Sequence, residues 1–241
     1  MLKTLLLSLG LLCTNVCFAL QDSDSPHAPG RVEVTEESAL DYIVALPEGY
    51  DDAGDAVPVI LFLHGAGERG DDLEKVKMWG PPRMVETGHD FGAIVVSPQC
   101  PAGTWWTDHV RVLEKLLDHI ELAYNVDADR IYVTGLSMGG YGTFALVARN
   151  PGRYAAAVPV CGGGMYFDAL RLSATPMWVF HGDADRIVPV EESRRMVEFA
   201  NSRGGEHARL TEYEGVGHDS WKRAYADDAM WDWLFEQDRG E

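Results

Sequence analysis

The amino-acid sequence predicts an α/β fold in which a mostly parallel sheet carries helices on both faces. Three observations point there. The chain has 241 residues, 46% of them hydrophobic and 10% aromatic, too apolar for disorder and long enough for a full core. Short apolar runs, rich in β-branched and aromatic residues and bounded by Gly, Pro or Asp, read as buried strands. Amphipathic segments lie between them, and an alternation of strand, helix and strand requires parallel strands covered on both sides.

The first residues stand outside that pattern. Lys3, the apolar stretch Leu5 to Leu12 and the small-residue pattern Cys17-Phe18-Ala19 predict a signal peptide over residues 1–19, cleaved after Ala19, and hence a secreted or periplasmic protein. A retained anchor needs about 20 apolar residues, and Thr14 and Asn15 interrupt this run, so no membrane association is expected after cleavage. Residues 20–30, acidic and carrying Pro26 and Pro29, read as a flexible lead-in. A single domain is expected over residues 31–241, without repeats or long linkers.

Within it, Asp51 to Asp55 reads as a turn between two strands. Val57 to Leu63, Ala93 to Val96, Arg130 to Thr134, Ala155 to Val160 and Met177 to Phe180 are the apolar runs. Val110, Leu113, Leu117 and Ile120 fall at helical spacing with Thr107 as a candidate cap, Thr143 to Arg149 continues a helix, and Val190 to Ala200 carries Met196, Val197 and Phe199 on a charged background. In parallel sheets ligands sit beyond the carboxyl ends of the strands, so the loops after these runs are where chemistry is expected.

Charge narrows the partners. Lysine and arginine number 20 against 38 aspartates and glutamates, a formal net charge of −18 with histidine neutral. Nucleic-acid binding needs basic surface to release counterions, and anionic membranes attract Lys and Arg, so neither suits this chain. Of the four cysteines, Cys13 and Cys17 fall in the leader. Cys100 and Cys161 remain, and two outcomes stay open for them: a disulfide in an oxidising compartment or a pair of buried thiols. Neither belongs to a Cys/His cluster with metal spacing, so no metal is expected.

The most informative loop is Gly135-Leu136-Ser137-Met138-Gly139-Gly140, directly after Ile131-Tyr132-Val133. It fits G-x-S-x-G, in which a sharp strand-to-helix turn thrusts the serine Oγ outward and leaves no room for a Cβ at the flanking glycines. A serine hydroxyl needs a base and a group to orient that base. His181-Gly182-Asp183-Ala184-Asp185 supplies two carboxylates at a strand end, and Gly215-Val216-Gly217-His218 a histidine in a glycine-rich loop. Their order, Ser then Asp then His, is the one this architecture uses. The loop His64-Gly65-Ala66-Gly67, after the first central strand, is the candidate for the second half of an oxyanion hole. The backbone donors are assigned to Met138 and Ala66, with Gly67 as the alternative.

On these motifs, together with Leu46-Pro47-Glu48-Gly49-Tyr50 and Phe62-Leu63-His64-Gly65-Ala66-Gly67-Glu68-Arg69-Gly70, the chain resembles the α/β-hydrolase superfamily over nearly its whole length beyond the leader. Within it, the sequence is similar to small secreted esterases related to carbohydrate esterases, feruloyl esterases and dienelactone-hydrolase-like proteins. The resemblance implies that the orienting acid is the third residue after a His-Gly pair, Asp185 rather than Asp183. The expected catalytic set is therefore Ser137, Asp185 and His218, with no cofactor. Superfamily members with a cap insert it after the strand following the elbow strand. Here only Met165 to Thr175 separates Gly164 from Pro176, so no cap domain is expected and the site stays open.

Aromatic residues gather in the same loops: Trp105, Trp106, Tyr141, Tyr166 and Trp221. Their flat faces suit sugar rings or phenolic acids, which makes Trp106, Tyr141 and Trp221 the substrate-binding candidates, with packing as the competing role for the two tryptophans. The expected activity is a serine carboxylic-ester hydrolase acting on small-molecule or polysaccharide-linked esters of feruloyl or acetyl type. The alternatives are a peptidase resembling the catalytic domain of prolyl oligopeptidases and a binding protein that kept the fold without the chemistry.

Overall fold

A computed structural model of the chain describes residues 25–240 apart from 36–37, 170, 203 and 205. The expected signal peptide at 1–19 lies outside the described residues. Eight strands form one sheet: β1 (His27–Thr35), β2 (Ser38–Ala45), β3 (Val57–Leu63), β4 (Ile94–Pro98), β5 (Val126–Leu136), β6 (Ala156–Val160), β7 (Met177–Gly182) and β8 (Ala208–Tyr213), in the order β1-β2-β4-β3-β5-β6-β7-β8. Strands β3 to β8 are mutually parallel, while β2 runs antiparallel to both β1 and β4. The helices are α1 (Gly80–Glu86), α2 (Val110–Ala123), α3 (Met138–Arg149), α4 (Tyr166–Ala169), α5 (Glu191–Asn201), α6 (Trp221–Ala224) and α7 (Asp228–Phe235).

The alternation of side chains along each strand builds a core on both faces. Val59, Leu61 and Leu63 of β3 pack on one face with Leu113, Leu117, Phe144 and Met196 from α2, α3 and α5. Ile60 and Phe62 point the other way, into a second core closed by Ala224, Met230, Trp231 and Leu234 from α6 and α7. This is the α/β-hydrolase architecture that the sequence predicts. Between β6 and β7 lie only α4 and a short turn at Leu172–Ala174, and no cap domain covers the strand ends among the described residues.

The ends of the chain read less well from sequence. The expected flexible lead-in over 20–30 is corrected from His27 onward, because His27 to Gly30 belong to β1 and pair with Tyr42 to Ala45. Proline signals a break inside a sheet but is tolerated at its edge, where only one side of the strand must donate; β1 is such an edge. Gly30 is needed because the Tyr42 ring lies where its Cβ would stand. Thr107 is not the cap of α2: it lies in a short 3-10 turn, Trp106–Asp108, and His109 precedes the helix without a side-chain cap.

Cys100 and Cys161 are both buried free thiols, which rules out the disulfide alternative. The physical reason is topological. Cys100 follows β4 and Cys161 follows β6, with β3 and β5 between them. Three inter-strand steps span about 14 Å, twice the roughly 7 Å between Cα atoms that a disulfide tolerates. The two thiols also pack into opposite cores.

Candidate active site

Parallel strands bring the loops after β3, β4, β5, β6, β7 and β8 to one end of the sheet. Ser137 sits there between β5 and α3 with φ 54° and ψ −115°, a left-handed backbone that costs a non-glycine residue about 1–3 kcal/mol. The surroundings hold it in place. Ser137 N–H donates to Val160 O at 2.9 Å, and a Cβ at Gly135 or Gly139 would overlap backbone, of Gly139 and of Leu63 respectively. The turn can therefore be this sharp only with glycine at both positions.

Ser137 Oγ lies 2.8 Å from His218 Nε2, and His218 Nδ1 lies 2.7 Å from Asp185 Oδ2. The ring thus donates from Nδ1 to the carboxylate and accepts at Nε2 from the hydroxyl, a tautomer assigned from its partners. Asp185 is buried, and Ile187 and Val188 N–H groups donate to its Oδ1 at 2.8 and 3.0 Å. Burial alone would raise this carboxyl. The hydrogen bonds from His218, Val188 and Ile187 outweigh it and hold the group below the usual carboxylate range. Asp183, the rejected acid, accepts from Gly215 N–H at 2.7 Å and ties the Asp185 loop to the His218 loop. Gly182 lets those loops touch, since a Cβ there would overlap Val216 O.

Ala66 opens the turn Ala66–Glu68, and Met138 opens α3. Backbone N–H groups at the first positions of helical turns have no partner within the turn. The His64 loop abuts the elbow, for the Cβ that Gly139 lacks would meet Leu63 O and His64 O. Both candidate oxyanion donors thus lie at this end of the sheet.

The aromatic candidates separate. Trp106 is fully buried, donates Nε1–H to His64 O at 2.9 Å and packs edge-on to the His64 ring. It braces the loop and has no surface to offer a substrate, which corrects its assignment as a substrate contact. Tyr141 is half-buried one turn after Ser137, at the head of a cleft of about 670 Å³ that runs along α3 past Phe144 to Arg149. Trp221 stands perpendicular to the His218 ring at 5.4 Å between centroids and leans on Trp79 at 6.0 Å. Exposed Met78, Trp105, Met165, Tyr166, Phe167 and Ile187 all lie in the connections that follow the strands at this same end, Tyr166 and Phe167 within α4.

Sequence reasoning missed the supports of the His64 loop. Cys100 N–H donates to His64 Nε2 at 2.9 Å, and Gln99 Nε2 donates to the backbone of Glu68 and Asp72. Burial pushes His64 down to about 4 and raises the Glu68 carboxyl. Such partners lie some thirty residues apart and have no local signature. Ligand atoms of Cys161, Asp185 and His218 fall within 4.8 Å of one another, but the donor chemistry fits a metal poorly. Burial pushes the Cys161 thiol up to about 12, and the Asp185 oxygens are already occupied by N–H donors.

The profile of the phospholipase/carboxylesterase family matches residues 105–229, which include Ser137, Asp185 and His218. A thermostable esterase of known structure superposes with a TM-score of 0.76 at 32% identity, over 88% of this chain and 63% of its own. A bifunctional acetylxylan esterase/xylanase of Neocallimastix patriciarum is 26% identical over 56% of this chain and 20% of its own length. A probable feruloyl esterase C of Aspergillus terreus is 24% identical over 67% of this chain and 59% of its length. The chain therefore spans about a fifth and about three-fifths, respectively, of the lengths of these two curated relatives. Among the described residues no helix is long and apolar enough to cross a membrane.

Proposed function

The chain belongs to the phospholipase/carboxylesterase family, and on that premise we propose that it is a secreted serine carboxylic-ester hydrolase acting on carbohydrate-linked or phenolic esters of feruloyl or acetyl type. The observation that carries the reading is the continuous hydrogen-bond chain from Ser137 Oγ through His218 to Asp185. His218 Nε2 takes the Ser137 proton as Oγ attacks the ester carbonyl, and the Asp185 carboxylate stabilises the imidazolium that forms. The carbonyl oxygen becomes an oxyanion facing the N–H groups of Met138 and Ala66, each worth roughly 3 kcal/mol to the transition state. His218 then protonates the leaving alcohol, and water, deprotonated by the same ring, releases the acid from the acyl-enzyme.

The apolar and aromatic rim supports an uncharged substrate group, as does the net charge of −18, which repels polyanions. Tyr141 and Trp221 are the proposed contacts for the acyl or sugar ring. The test is a panel of methyl ferulate, acetylated xylan and a prolyl amide. We expect turnover of the esters, an inert amide, and labelling of Ser137 by a fluorophosphonate probe. Cleavage of the amide with inert esters would establish the peptidase alternative instead, and an unlabelled Ser137 the binding-protein one.

A further inference from the structure

His181 is fully buried, bears no part of the mechanism above, and touches the acid of the proposed triad. Its Nε2 lies 3.2 Å from Asp185 Oδ2, the same oxygen that receives His218, and 2.9 Å from Val188 O. On the other side its Nδ1 lies 2.7 Å from Ser193 Oγ of α5, and that hydroxyl donates to Gly162 O at 2.9 Å on the loop after β6. Proton counting decides the ring's state at one nitrogen. A backbone carbonyl and an ionised carboxylate can only accept, so Nε2 must carry the hydrogen that both of them face.

We propose that His181 is a positioning residue for the catalytic acid: its Nε2–H holds Asp185 Oδ2 toward His218, and Ser193 fixes the ring from α5. The proposal rests on the Ser137–His218–Asp185 reading. Asp185 accepts three hydrogen bonds, two on Oδ1 and one on Oδ2, and the His181 Nε2–H, bonded to Val188 O, stands as a further positive pole 3.2 Å from Oδ2 that opposes turning of the carboxylate away from His218. A positive N–H pole beside Oδ2 also withdraws electron density from the oxygen that partners the base, which tunes how strongly the imidazolium is stabilised. The other titratable groups facing this network are Glu212 on β8, Cys161 after β6, Tyr141 on α3 with Glu192 on α5, and Asp219 beside His218.

Two amide isosteres separate the ring's nitrogens. The His181→Gln amide reaches the Nε2 position and keeps the donor to Asp185, whereas the His181→Asn amide reaches only the Nδ1 position and loses it. With an aryl ester at saturation, His181→Asn is expected to lower kcat about tenfold, the effect of one buried hydrogen bond to a charged group. KM should stay unchanged, and the acid limb of the pH profile should move to higher pH. His181→Gln is expected to retain kcat within about threefold and the parental profile. The idea is overturned if folded His181→Asn keeps parental kcat and pH profile, or if both variants lose activity equally and only in step with their melting temperatures. Should neither variant fold, long-range ¹H–¹⁵N correlation still decides: a His181 Nε2–H signal that moves between the unaltered protein and Asp185→Asn supports the proposal, and an unprotonated Nε2 or a signal that stays in place overturns it. An active Ser137→Ala variant would defeat the underlying reading, whereas an inactive one beside a normal His181→Asn would defeat this inference alone.

Discussion

Ser137 pays for its outward hydroxyl with a left-handed backbone, and the glycines around it are what make that conformation reachable. Ser137→Ala keeps the turn and removes only the proposed nucleophile, so kcat on an aryl ester should fall by about 10⁴-fold or more with an unchanged melting temperature. The tryptophans make a contrasting pair. Trp106→Ala should destabilise the protein by about 3–5 kcal/mol in denaturant titration, because it removes a fully buried ring and the donor to His64 O. Trp221→Ala, at a partly exposed ring beside His218, should raise KM for methyl ferulate severalfold with little change in stability. That Ser137, Asp185 and His218 meet at one end of the sheet was legible in the sequence because each sits in a local pattern after a strand. Trp106 was not, since a tryptophan beside a catalytic loop reads identically whether its ring faces solvent or the core.

At the scale of elements, the His64 loop is a buried polar device hung between β3 and β4. His64 Nε2 must stay unprotonated to accept Cys100 N–H, and burial pushes the ring down to about 4. An unfolded histidine begins to protonate near pH 6.5. Between those values the unfolded chain therefore binds more protons than the folded one, and stability falls as pH drops through this window, by on the order of 3 kcal/mol in total. Asp185 adds to the same trend at lower pH: its folded value is depressed, so its contribution is present above the ordinary carboxylate range and lost below it. Melting temperatures between pH 7 and 4 should show this decline, and His64→Gln should flatten its upper part. The helix α3 makes a second test, for Gly139→Ala places a Cβ on the Leu63 carbonyl. That variant should be destabilised by several kcal/mol or fail to accumulate. The central strands declared themselves as continuous apolar runs because both their faces are buried, whereas β1 escaped notice because an edge strand tolerates the proline and glycine that mark loops.

For the molecule as a whole, charge and thiols decide two outcomes. With a net charge of −18, the field opposes anionic substrates and is screened by salt over about 10 Å at 0.1 M. kcat/KM for an ester carrying a carboxylate should rise with ionic strength, while that for methyl ferulate stays flat. Because Cys100 and Cys161 lie on opposite faces of the sheet, reductant should leave the melting temperature unchanged, and the denatured protein should present both as free thiols.

The sequence by itself determined the α/β alternation, the order of the Ser137, Asp185 and His218 loops, and the absence of room for a cap. Each of these is written in local periodicity, in glycine spacing or in the length of one connection. Only the tertiary structure decided which aromatic rings are struts, that the two cysteines lie apart, that the chain near His27 is a strand, and that His181 and Ser193 stand behind Asp185. These depend on which residues meet across the sheet. A side chain's hydrogen-bond partner a few dozen residues away leaves no trace in the pattern around it, and burial, which turns a titratable group into a structural one, is a property of the packed molecule.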